Sequence, residues 1–148
     1  MRRPDSRMTL SNFMRNHLMS AMASLKIGLD ILRVDEKVEI DKLCGHGGYF
    51  KVPGAGQRIL SAGAGVPITV METAGEGGAY GMAILAAYML KKRAGLEQEL
   101  GDFLEKYVFA EAESSTVMAD AEEVEGFDRY VEAYRKAFPI EQAAVEFF

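Results

Sequence analysis

Two bursts of glycine, at 45–48 and at 75–78, restrict this chain more than any other feature. Each follows a short apolar run and precedes a helical pattern. The order they impose is strand, glycine turn, helix, strand, glycine turn, helix. Glycine is the residue used where backbone takes positive φ or approaches another group closely. Backbone amides at such a turn, beside a helix N-terminus, suit an anion such as phosphate. The stretch 43–90 therefore reads as part of a nucleotide site. The same glycines serve equally as tight strand-to-helix turns.

The rest of the chain fits around that stretch. Thr9 or Ser11 can cap a helix over 11–33, whose apolar residues Met14, Leu18, Met22, Leu25, Leu29 and Leu32 recur at steps of three and four. Residues 35–37 read as a turn and 38–44 as a buried strand running into Gly45. Pro53 and Gly54 open a second helix that ends at Gly63 or Gly65. A second strand covers 66–71, with Pro67 at its start or on an edge. A third helix covers 76–92, and its small residues Ala74, Gly77, Gly78 and Gly81 permit close approach to a sheet or ligand. A shorter helix is marked by Leu96, Leu100, Phe103 and Tyr107. Residues 108–119 read as a loop with an extended piece. Val124, Phe127, Val131, Tyr134 and Phe138 mark a last helix that Pro139 stops, leaving 140–148 as a short apolar tail. Residues 1–10 read as a loose leader, and 1–148 as one domain. The layering is α/β, with strands 38–44 and 66–71 adjacent and helices 11–33 and 76–92 packed on them.

Composition narrows the function classes. A chain of 148 residues suffices for a single core. A net charge of −5 without a basic face argues against nucleic acid. The single Cys44 excludes an internal disulfide framework and fits a reducing compartment. No signal peptide follows the basic start, and the run 79–90 is short of the ~20 residues that span a bilayer. The expected location is the cytoplasm, with no membrane partner.

Common chemical motifs are missing. Lys51 stands between Phe50 and Val52, so there is no phosphate-loop Gly-Lys-Ser/Thr. Gly45-His46-Gly47 meets Phe50 where a dinucleotide fingerprint needs glycine. His17, Cys44 and His46 are too few and too scattered for a zinc site. No serine lies in a nucleophile elbow. The acids at 120–125 suit a helix start, where they complement the dipole. The residues thus name no catalytic group and no metal ligand.

The stretch GHGGYFKVPGAGQRILSAGAGVPITVMETAGEGGAYGMAILAAYML resembles the C-terminal lobe of the FGGY family of carbohydrate kinases, on the xylulokinase and ribulokinase side. The features that carry the resemblance are Gly47-Gly48 after a strand, Gln57-Arg58 (in the family Arg-Gln), Val66-Pro67, Glu72, and the small-residue helix from Gly81 to Ala87. Helix 11–33 and the helix ending at Phe138-Pro139 resemble family helices more loosely. The resemblance implies a partial ribonuclease H-like, actin-like ATPase lobe with helices on a small mixed sheet. It implies ATP and Mg²⁺ as cofactors of the full-length kinase and a ketopentose or similar sugar as phosphoryl acceptor. Gly45, Gly47, Gly48, Tyr49, Lys51 and Val52 are then the nucleotide-contacting residues. Some relatives contact adenine with Asn near position 52, which Val52 cannot imitate. The family's sugar pocket and catalytic Asp belong to a preceding lobe, so the sugar is met through that lobe and this chain alone is expected to be inactive. A domain cut from such a lobe should expose apolar surface and self-associate. The alternative is a free-standing nucleotide- or anion-binding or interaction module without catalysis.

Overall fold

The computed structural model describes residues 6–147. Helix α1 spans Leu10–Asp30, with the Thr9 hydroxyl accepting from the Asn12 amide as its cap, 3.1 Å. It loosens into a π turn, Ile31–Asp35. There Arg33 donates to the Ala64 carbonyl at 2.5 Å, and Lys37 follows with φ 56°. Of the expected leader, residues 1–5 lie outside the described residues, and Thr9 already belongs to the helix cap.

Strand β1, Leu43–Gly45, pairs in parallel with β2, Ile68–Met71, in the register Leu43↔Ile68. The expected strand 38–44 is thus shortened from its start. Leu43 donates to the Pro67 carbonyl, but Pro67 has no amide with which to continue the ladder backwards. Strand β3, Ser114–Val117, closes the sheet antiparallel to β2, in the order β1-β2-β3. It is the extended piece of the expected 108–119 loop.

Between the strands, α2 (Ala55–Ala64) starts after Gly54 at φ 76° and ends on Gly65 in the left-handed region. It is the layer against the sheet, and α1 and α5 (Ala121–Arg135) lie on it. One core cluster joins Met19 and Ala23 of α1 to Ala62 of α2 and to Phe127 and Val131 of α5. Gly63 makes room for it, since a Cβ there would stand 3.2 Å from the Phe127 ring. The other cluster joins Leu29, Leu60, Ala64, Val66 and Ile68. Buried Ser61 ties the two regions, donating to the Val66 carbonyl at 2.9 Å and accepting from the Ala119 amide at 2.8 Å.

Three expectations need correction. Helix α3, Gly77–Arg93, was expected on the sheet, yet none of its residues is buried. Its apolar residues Met82, Ile84, Leu85, Met89 and Leu90 circle the helix instead of forming one stripe, so no single face is committed to the core. It meets α4, Leu100–Tyr107, where the rings of Tyr88 and Phe103 lie 5.2 Å apart. That helix starts later than expected because the amides of Ala94, Gly95 and Leu96 fold back onto α3 carbonyls, with Gly95 at φ 97°. Finally, Pro139 does not end the chain's helices. It sits in the first turn of α6, Phe138–Glu146, where a missing amide proton costs nothing, and the expected tail is helical. Residue 148 lies outside the described residues.

Candidate functional site

The carboxyl ends of parallel strands are where open α/β sheets bind ligands. Here β1 ends in the first glycine burst. β2 ends in a 3₁₀ turn, Glu72–Glu76, that enters the second burst. The two bursts, distant in sequence, are brought together. The Gly47 amide donates to the Ala74 carbonyl at 2.7 Å. Lys51 Nζ meets Glu76 Oε1 at 2.9 Å. The His46 imidazole lies on Gly77, where a Cβ would stand 2.9 Å from Nδ1.

Beside this seam is a cavity of about 470 Å³ lined by Phe50, Lys51 and Pro53 from the turn, Gln57 from α2, and backbone and side chains of the β2 and β3 ends. Gln57 is buried and fixes the wall. Its Nε2 donates to the Ile68 carbonyl at 3.1 Å and to the Ser115 carbonyl at 2.9 Å, which holds edge strand β3 to β2. A second cavity of about 440 Å³ lies across Met71, Glu72 and Glu113, toward Tyr80 and Tyr107. The Glu72 amide donates to the Glu113 carbonyl at 3.1 Å, and both residues line both cavities.

The six residues expected to meet nucleotide are neighbours in space but play different parts. Gly47 is the left-handed residue of the turn, φ 96°, with its amide committed to Ala74. Gly48 opens the 3₁₀ turn Gly48–Phe50, and a Cβ there would meet nothing within 4 Å, so its backbone is open to approach. Gly45 is small because the Phe50 ring lies over it, 2.6 Å from where a Cβ would be. Tyr49 turns away from the cavity. Its hydroxyl donates to the Leu18 carbonyl of α1 at 3.0 Å, and burial pushes its pKa up from 10.0 to about 12. Val52 is 65% exposed and lies outside the cavity lining. Lys51 is the only cation among the described lining residues.

Sequence reasoning missed Gln57 as a wall residue and missed Ala74, Gly75 and Glu76 as partners of the first turn. The second glycine burst was the signal for the latter, because two such turns at the ends of neighbouring parallel strands must face each other. The contribution of Ser114 and Ser115 had no sequence signal, since it depends on β3 returning from a segment without periodicity.

For a nucleotide the fit rests on open backbone at Gly48, one lysine, and a cavity beside them. For Mg²⁺ the chain offers less. Among the described residues no group of three or more His, Cys, Asp or Glu side chains could hold a metal ion. Likewise, no helix among them is long and apolar enough to cross a membrane.

The fold and site define an α/β lobe with a cavity at the carboxyl ends of two parallel strands. The family model for the C-terminal domain of the FGGY family of carbohydrate kinases matches residues 1–90. The chain belongs to that family, and its sheet is the small mixed sheet of an actin-like ATPase lobe. No match was found among curated proteins or among solved structures. The matched segment does not hold the whole core. Phe127, Val131 and Ala119, which complete the cluster with α1, and strand β3 all come from residues after 90.

Proposed function

We propose that the chain is the nucleotide-binding part of an ATP-dependent kinase, acting with Mg²⁺, that phosphorylates a ketopentose or similar sugar on the xylulokinase and ribulokinase side of the family. The observation that carries this reading is the seam itself. A Gly-Gly turn with open backbone at Gly48 and a lysine at 51 adjoins a cavity at the carboxyl ends of β1 and β2. Phosphoryl transfer is mostly positioning and charge stabilisation, with a base for the acceptor hydroxyl and Mg²⁺ on the phosphates. In this assignment Gly45, Gly47, Gly48, Tyr49, Lys51 and Val52 build the nucleotide side. Gly48 offers backbone and Lys51 charge, while Gly45, Gly47 and Tyr49 hold the turn in shape and Val52 flanks it. The sugar pocket, the base and the Mg²⁺ ligands come from the lobe that the family resemblance places before this segment. The working compartment is the cytoplasm.

Exposed apolar residues favour a second role for the same chain as an interaction module. Met82, Met89 and Leu90 on α3 and Phe147 after α6 are all largely exposed. Self-association follows from covering them.

The test is equilibrium dialysis of the chain against ATP and against ketopentoses, with a parallel ATP-dependent turnover assay. Weak ATP binding, no sugar binding and no turnover are expected. Sugar phosphate formed by the chain alone would overturn the assignment of the base to another lobe. Absence of any ATP binding would overturn the nucleotide role.

A further inference from the structure

Lys51 and Glu76 make an ion pair between the two glycine segments, 2.9 Å from Nζ to Oε1, with side chains 57% and 78% exposed. The lysine stem runs along Gly75, where a Cβ would stand 3.6 Å from two of its carbons, so the stem has a defined path on the cavity rim. Glu76 is the N-cap residue of α3 but makes no capping bond with its side chain. Its carboxylate is therefore free of local duty and is spent on Lys51. The cavity walls otherwise carry Glu72 and Glu113, so the lysine is the one positive charge that a phosphate could meet there among the described lining residues.

Resting on the nucleotide reading above, we propose that Glu76 determines how the site discriminates phosphate chains by charge. Its carboxylate occupies the ammonium that a phosphate would use, and a polyphosphate must displace it. An incoming phosphate then gains Lys51 only by giving up the Lys51–Glu76 pair, and Glu76 stays nearby as a like charge. Exposed pairs of this kind contribute modestly, so removing the carboxylate tightens polyphosphate binding about two- to fivefold. The gain rises with the number of phosphate charges and vanishes for adenosine, which has none. It also falls with salt, because the groups are exposed.

The experiment is an NMR titration of the ¹⁵N-labelled chain with adenosine, AMP, ADP and a non-hydrolysable ATP analogue. It is run on the wild type, Glu76→Gln, Lys51→Met and the double variant, with the amide spectrum reporting an intact fold. The expected result is a tightening for Glu76→Gln that grows from AMP to the ATP analogue, no change for adenosine, and no tightening when Lys51→Met is also present. Wild-type binding of the ATP analogue with unchanged or weaker binding by Glu76→Gln would overturn the inference while leaving the nucleotide site standing. A gain equal for adenosine, or one that survives Lys51→Met, would overturn it equally. Absence of binding by any folded variant would overturn both the inference and the nucleotide reading beneath it.

Discussion

Replacing Gly56 by alanine should damage the site from behind. Gly56 is the second residue of α2, and the 3₁₀ turn Gly48–Phe50 rests on it. A Cβ at Gly56 would stand 2.5 Å from the Tyr49 carbonyl oxygen and 2.8 Å from its ring. Ordinary contact begins near 3.4 Å, so the turn or the helix must move by about 0.9 Å. The carbonyl is backbone and has no alternative rotamer. Overpacking of this kind costs about 1–3 kcal/mol. Alanine also gains helix propensity over glycine, at most about 1 kcal/mol, and less in a first turn. The clash wins, leaving a net loss of about 1–2 kcal/mol. At about 2–4 °C per kcal/mol for a chain of this size, the Tm should fall by roughly 2–8 °C. The same shift would pull Tyr49 from Leu18 and displace Gly48 and Lys51. Thermal unfolding with amide shifts at 47–51 is the assay, and Gly78→Ala is the control, since a Cβ there meets nothing within 4 Å. A Gly56→Ala variant as stable as the wild type, with unmoved turn resonances, would refute the claim that the turn is seated on α2.

Other outcomes follow from the same structure. Ser61→Ala should lose about 1–3 kcal/mol in urea unfolding, because the Val66 carbonyl and the Ala119 amide both lose their buried partner; a loss under 0.5 kcal/mol would contradict that accounting. Tyr49 is held protonated in the folded chain, with a pKa of about 12 against 10.0. Its contribution is therefore complete below pH 10 and is lost as pH rises from 10 towards 12. Tyr49→Phe should flatten the decline of stability across that window, and an unchanged slope would count against it. Sedimentation at high concentration should show self-association, weakened by Met89→Glu on α3, where the side chain is exposed and a charge costs the monomer little. A monomer at all concentrations would refute that.

How much was legible depended on whether a signal was local. The first helix announced itself through its period, and Thr9 was one of the two caps the sequence offered for it. That β1 and β2 are neighbours was implied by the order of elements, and the structure adds that they run parallel. Gly65 ended α2 as a C-terminal glycine does. Pro139 misled, because proline can follow the end of one helix or open the next, and here it lies in the first turn of α6. Helix α3 misled in the opposite direction. Its small residues and its place in the element order suggested a helix packed on the sheet, but apolar residues that circle a helix choose no face. At the site, glycine and Lys51 were visible as residue types. The commitment of the Gly47 amide to Ala74, and of the Tyr49 hydroxyl to Leu18, was not. Both depend on which distant backbone carbonyl arrives within reach.

The central claim is that the seam between the two glycine bursts receives the nucleotide. Its most direct test is a map of backbone amide shifts of the chain on addition of Mg·ATP. The account predicts changes concentrated at 45–52 and 72–77, with Gly48 and Lys51 among the largest, and α5 and α6 unmoved. Changes centred on α5 and α6, or spread evenly with none at the seam, would contradict it.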